Sequence, residues 1–260
     1  MMSRQNNEKL YILIKIFLLC FCWTFISFGV ESFCVWFEVE TNELHLIIEF
    51  ILQYFLTYGG IKRYTSSSSS KKCMDNEAIF IITIFSILFF IIAIYRTSKE
   101  MPLYADEIVG YLITEFVLVA LIEELVFREI VSSMLIDFKK ITKILCSALI
   151  FTTMHYVSWM PEIIAFDITE TSMRLFSPLC IGIILATLYE IHKSIFLTVI
   201  VHGTYNVLTL ISYGNIRIVI CLCYILFAII YCIYFYRKEK INEKINAFNS
   251  HSCNDVKRNE

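Results

Sequence analysis

Residues 120–129 read Ala-Leu-Ile-Glu-Glu-Leu-Val-Phe-Arg-Glu, which sets the adjacent carboxylates of Glu123 and Glu124 and the guanidinium of Arg128 inside an otherwise apolar stretch. An ionisable group at the centre of a bilayer costs at least about 2.5–3.5 kcal/mol, so such residues are kept there by a partner or a task. Two later apolar stretches carry His155 and the pair His202 and Asn206. On a helix, Glu124 and Arg128 are i, i+4 and meet on one face, while Glu123 points about 100° away and need not share that arginine. His202 and Asn206 share a face by the same spacing, and Phe151 lies one turn before His155, where it packs beside the ring. A carboxylate and an imidazole in a partly dry cavity can share a water and take its proton as it attacks a carbonyl carbon. A second histidine and an asparagine amide can donate to the developing oxyanion. No Ser or Cys nucleophile with a nearby base stands out, which argues against an acyl-enzyme route. Two His and a Glu would also suffice to bind catalytic zinc, although no His-Glu-x-x-His occurs and Asn is a poor zinc ligand.

The elements that must position these groups read as membrane spans. Of 260 residues, 58% are hydrophobic and 18% charged, with mean hydropathy +0.68; soluble domains run nearer about 45–50% and about 25%. A net charge of −2 gives no basis for a nucleic-acid partner. The ten cysteines sit mostly in apolar runs without a C-x-x-C, so they behave as small hydrophobes. Apolar stretches at 10–30, 44–61, 78–95, 108–136, 141–159, 175–189, 194–213 and 216–236 predict an all-α, polytopic membrane protein, a bundle of about eight transmembrane helices. Within the second span, Glu49 and Gln53 are i, i+4 and point the same way, into the bundle. A loop with Ser66 to Ser70 between basic pairs is a flexible connection, and the charged tail from Arg237 a mobile one. The chain divides into an N-terminal part with three spans and the Ser-rich loop (1–107), a core (108–213), and a last span with its tail (214–260).

Basic residues at the span ends fix the orientation. Arg4, Lys9, Lys62, Arg63, Lys71, Lys72, Lys139, Lys140, Lys143, Lys193 and the Lys/Arg cluster after residue 236 all fall on one side; Arg96, Lys99, Arg174 and Arg217 fall on the other. Both termini are therefore expected in the cytoplasm of a multi-pass protein of the cell membrane. Counted from the cytoplasmic ends at about 1.5 Å per residue, Glu123, His155 and Asn206 reach depths of about 18–21 Å and His202 about 12 Å. Polar groups from three helices thus share one slab. Glu115, two turns before Glu123, is expected to line the same cavity, whereas His45, His192 and His251 read as solvated surface residues.

The run Glu123-Glu124-Leu-Val-Phe-Arg128 resembles the E-E-x-x-x-R motif of the CPBP family, the CAAX proteases and bacteriocin-processing intramembrane proteases. Phe151-Thr-Thr-Met-His155 is similar to its F-x-x-x-H motif and His202-Gly-Thr-Tyr-Asn206 to its H-x-x-x-N motif, with Gly182 to Glu190 resembling the stretch before the third. The likeness covers residues 108–210. It implies a glutamate-dependent intramembrane endopeptidase in which Glu123 and His155 activate water, His202 and Asn206 form the oxyanion site, and Glu124 and Arg128 shape it. It further implies a metal-free site, with zinc as the alternative, acting in the lipid bilayer on a peptide or lipidated protein. Two departures are local: Glu129 adds a charge after the arginine, and His192-Lys193 replaces a Thr-Gly turn. Two other classes compete. One is a non-catalytic immunity or regulatory protein of the same fold. The other is a transporter, against which no inverted repeat or Gly/Pro-broken pair of spans is visible.

Overall fold

The computed structural model describes residues 2–36, 44–64, 112–163 and 168–211, with separate helical positions between 79 and 91, at 109–110 and between 219 and 241. Among these residues every element is a helix and no strand occurs, which agrees with the all-α expectation. The spans expected at 78–95 and 216–236 fall largely outside the described residues, as do the Ser66–Ser70 loop, His251 and the tail beyond residue 241.

Helix α1 (Met2–Trp36) contains, at Asn7–Ile26, the one described segment that is both long and apolar enough to cross a membrane, with mean hydropathy 2.0. It buries Ile16 and Cys20 and turns Leu10, Phe17, Phe21 and Phe25 outward. Large apolar side chains also cover the outside of α2 (Leu44–Tyr64), at Ile51, Phe55 and Tyr58, and of α4 (Lys140–Ile163), at Leu145 and Leu149. Such an exterior suits hydrocarbon, in which a helix satisfies its own backbone and exposed apolar surface carries no penalty. Inside α2, Gln53 is buried and its amide donates to Glu49 Oε1 at 2.9 Å, so the pair does share one face.

Residues 112–134 form α3, whose winding alternates: π-type at Leu112–Val119, α-type at Ala120–Glu124, π-type at Leu125–Val131 and a last α turn at Ser132–Met134. The two adjacent glutamates close the short α segment, with a π segment on each side. π segments inside helices gather at functional sites, because widening the turn re-aims the side chains that follow it.

Helices α5 (Ile168–His192) and α6 (Ile195–Ile211) complete the described core. Small residues set the closest approaches. A Cβ on Gly182 of α5 would meet Phe151 Cδ1 at 3.2 Å and Ala148 Cα at 3.3 Å, so α4 and α5 cross there almost backbone to backbone. Gly203 of α6 is tighter, since its Cβ would lie 2.5 Å from the Phe116 carbonyl oxygen and 2.8 Å from Phe116 Cα. Backbone cannot rotate out of the way, so Gly203→Ala should push α6 off α3 and cost about 1–3 kcal/mol. Thermal unfolding of the purified protein in detergent checks this against Gly29→Ala, where nothing among the described residues lies within 4 Å of the added methyl. Equal midpoints for the two variants would refute the close approach.

Between α5 and α6 the chain turns at Lys193, whose φ of 51° is in the left-handed region, and its N–H bonds the Tyr189 carbonyl at 2.8 Å. Glycine is the usual residue at such a helix end. Here the lysine ammonium folds back to Glu190 Oε2 at 2.8 Å, a contact that a glycine could not make.

Candidate catalytic site

Phe151 is the apolar pivot of the site. It is fully buried on α4, meets Phe127 of α3 edge-on at 5.0 Å, and lies 4.2 Å from the His155 ring centroid and 5.6 Å from that of His202. The i, i+4 spacing packs it beside His155, as the sequence predicts, and its carbonyl fixes the ring through a 2.9 Å contact with Nδ1. A carbonyl only accepts, so the proton of that contact is on Nδ1 and Nε2 points the other way, toward Glu123.

Three side chains from three helices meet at one oxygen. Glu123 Oε2 is 3.6 Å from His155 Nε2 and 3.5 Å from His202 Nε2. Glu123 is buried, and this oxygen makes no hydrogen bond within the described protein. His202 is almost wholly buried as well, and its other nitrogen, Nδ1, lies 3.0 Å from Glu124 Oε1. His202 therefore bridges both glutamates, a link that spacing within either helix cannot reveal.

Behind these groups sits the ion pair of Arg128 and Glu124, with Nε to Oε2 at 3.0 Å and exposures of 1% and 0%. Arg128 Nη1 donates to Ser147 Oγ at 2.7 Å, and Ser147 in turn donates to the Phe127 carbonyl at 3.2 Å. Nη2 has no hydrogen-bond acceptor among the described residues, but the guanidinium lies over Phe151 with its carbon 5.4 Å from the ring centroid, where the π face attracts the charge. Glu124 thus has one oxygen on the arginine and one on the histidine. The sequence marks Ser147 only by its place two turns before His155, on the same side of α4.

Asn206 lies one turn after His202, half-buried, and its amide donates to the Glu115 carbonyl at 3.4 Å. The structure thus gathers Glu123, His155 and His202, backs them with Glu124 and Arg128, and ties Asn206 to the π-wound start of α3. Glu129, the added charge, accepts a 2.7 Å hydrogen bond from the Tyr189 hydroxyl.

A second buried cluster lies outside the three motifs. Glu190 of α5 accepts from Ser132 at 2.8 Å, Lys143 at 2.9 Å and Lys193 at 2.8 Å, tying α3, α4 and the α5–α6 turn together. Beside it, His192 corrects the expectation of a surface residue: it is 5% exposed, with Nε2 3.1 Å from the Tyr231 hydroxyl. Its position at a span end suggests solvent, but the side chain of Tyr231, 39 residues further along the chain, lies against it. Glu190→Ala should lower stability by about 3 kcal/mol, because Lys143 would be left buried without a counter-charge. Lys193→Ala, at a half-exposed ammonium, should cost under about 1 kcal/mol. Unfolding midpoints of the two variants in detergent measure the difference, and equal values would contradict a clasp centred on Lys143.

Glu123 Oε2 and the two imidazole Nε2 atoms are donor types that zinc accepts. Among the described residues, however, no group of three His, Cys, Asp or Glu is disposed to hold a metal ion.

Residues 105–208, about two fifths of the chain, match the family model described as type II CAAX prenyl endopeptidase Rce1-like. The match spans Glu123, His155, His202 and Asn206 and bears out the family resemblance of their motifs. The family is one of membrane-embedded proteases. No curated protein and no solved structure matches the chain.

Proposed function

We propose, on the premise that residues 105–208 belong to the CAAX protease (CPBP) family, that the chain is an intramembrane endopeptidase using a glutamate- and histidine-activated water. The observation that carries this reading is the convergence of two imidazole nitrogens, at 3.5 and 3.6 Å, on one buried glutamate oxygen that has no hydrogen bond among the described residues. A water held between Glu123 Oε2 and His155 Nε2 gives them its proton as its oxygen bonds to the scissile carbonyl carbon. The carbonyl π pair moves onto its oxygen, which His202 and the Asn206 amide receive as donors. The pair returns as the C–N bond breaks, and the proton taken from water passes to the leaving amine. Glu124 and Arg128 touch no reacting atom and hold His202 in place.

The substrate class we propose is a lipidated or membrane-associated peptide, of the CAAX or bacteriocin-processing and immunity type. An apolar groove of about 410 Å³ between α1 and α4 supports it, lined by Leu13, Phe17, Leu149 and Met154, the last adjacent in sequence to His155. The arrangement in the membrane that accompanies this reading is about eight spans with both termini cytoplasmic, and residues 108–213 as the catalytic core. The chemistry is metal-free: protein stripped with a chelator and checked for metal content should retain cleavage, and loss of activity restored by zinc would replace this mechanism with a metal-assisted one. The function itself is tested by comparing membrane proteomes of cells carrying wild-type and Glu123→Gln protein. A fragment present only with the wild type is expected, and identical proteomes would count against proteolysis.

A further inference from the structure

Buried charge and hydrogen-bond direction together limit how many protons this site holds. Glu124 is wholly buried with Arg128 on Oε2, so its Oε1 is an acceptor and the 3.0 Å contact places a proton on His202 Nδ1. His155 carries its proton on Nδ1, toward the Phe151 carbonyl at 2.9 Å. If both rings were neutral and Glu123 ionised, three acceptors would face one another across 3.5 and 3.6 Å in a buried site. The charges would not balance either, because one arginine faces two carboxylates, and an uncompensated buried charge is strongly unfavourable.

We propose that one proton is shared between Glu123 Oε2 and His202 Nε2, and that Glu124, as a positioning residue, keeps it there by its charge and by orienting the ring. With that proton the row Arg128, Glu124, His202, Glu123 is neutral, and each acceptor in it faces a donor. When Glu123 takes up the water, the proton is on His202, which then meets the oxyanion as a donor at Nε2. The other groups facing His202 are the Glu115 carboxylate, half-buried at the π-wound start of α3 and close enough to act electrostatically, the Phe151 ring, and Thr198 beside Glu124. Glu115 is unchanged in every variant below, so its contribution cancels in comparison. This inference rests on the proteolytic reading and deepens it.

The test is a charge-balance series. Glu124→Gln keeps an oxygen acceptor for Nδ1–H, yet leaves Arg128 to balance Glu123 without the shared proton. Turnover of a farnesylated reporter peptide should fall about 100-fold, the scale of a lost oxyanion donor, with KM nearly unchanged. Glu124→Gln/Arg128→Gln again leaves Glu123 needing one proton and should recover at least tenfold over the single variant. A purely structural role for the ion pair predicts a double variant no better than the single one, and that result overturns the proposal. Should the variants fail to fold, ¹⁵N-histidine spectra of the wild type decide, assigned with His155→Gln and His202→Gln. His202 with both nitrogens protonated, or Nε2 in proton exchange, is expected, and an unprotonated Nε2 beside an ionised Glu123 overturns it. Glu123→Gln separates the two layers. If it stays active the assignment of Glu123 as the base of the proteolytic reading falls, while an inactive Glu123→Gln with no rescue in the double variant removes the shared proton alone.

Discussion

Glu123→Gln is expected to reduce cleavage of a lipidated test peptide by about 10³-fold or more while the protein still folds, since general-base groups contribute typically about 10²–10⁴. The amide matches the carboxylate in shape, so the packing of α3 against α4 and α6 is kept. What disappears is the basic oxygen that both histidines face at 3.5 and 3.6 Å. Stability should hold or rise slightly, because two buried carboxylates share one arginine and removing Glu123 leaves the Arg128–Glu124 pair intact. Glu123→Asp keeps the charge but draws it back by a methylene, and a displacement of about 1 Å can cost about 10² in rate. The order wild type, Asp, Gln in kcat, with unfolding midpoints alongside, is the measurement. A Gln variant with more than a tenth of wild-type turnover would end the assignment of Glu123 as base.

Much of this site was legible because its partners within each helix lie four residues apart. The spacing of Glu124 and Arg128 predicts their pairing, that of Phe151 and His155 their side-by-side packing, and that of Glu49 and Gln53 their shared face, and all three contacts are present. What spacing cannot say is which neighbouring helix a face meets. The bridge of His202 to both glutamates depends on the packing of α6 against α3, where Gly203 lets the backbones approach; the sequence shows the glycine but not what it touches. The π winding on either side of Ala120–Glu124 is likewise invisible, since the residues there form an α-helix equally well by composition. His192 differs for a related reason: a polar residue at a helix end reads as solvated until a residue distant in the chain, here Tyr231, is placed against it. Glu190 enters the sequence reading only as the end of the Gly182–Glu190 stretch, and its three donors come from places 58, 47 and 3 residues away in the chain. The count of eight spans came from apolar runs, and two of those runs lie largely outside the described residues.

The largest expected loss of stability is at Arg128. Arg128→Gln strips Glu124 of its counter-charge at a position with 0% exposure, and breaking a buried pair in this way costs about 3–5 kcal/mol. The change also removes the donor to Ser147 Oγ and the cation over Phe151, the ring that packs beside His155. Glu124→Gln should cost less, since Arg128 keeps Ser147 and Phe151 and still faces the charge of Glu123. In the double variant no buried charge is left unpaired by the substitutions, so its loss should be smaller than the sum of the singles by about 2 kcal/mol or more, the scale of coupling within one network. Unfolding free energies of the four proteins in one detergent give that coupling directly. Additivity would mean that Glu124 is stabilised by His202 alone and that the arginine serves only to pack α3 against α4. Strong coupling would mean that the guanidinium holds a carboxylate in the apolar interior, and that this carboxylate in turn holds the histidine facing Glu123.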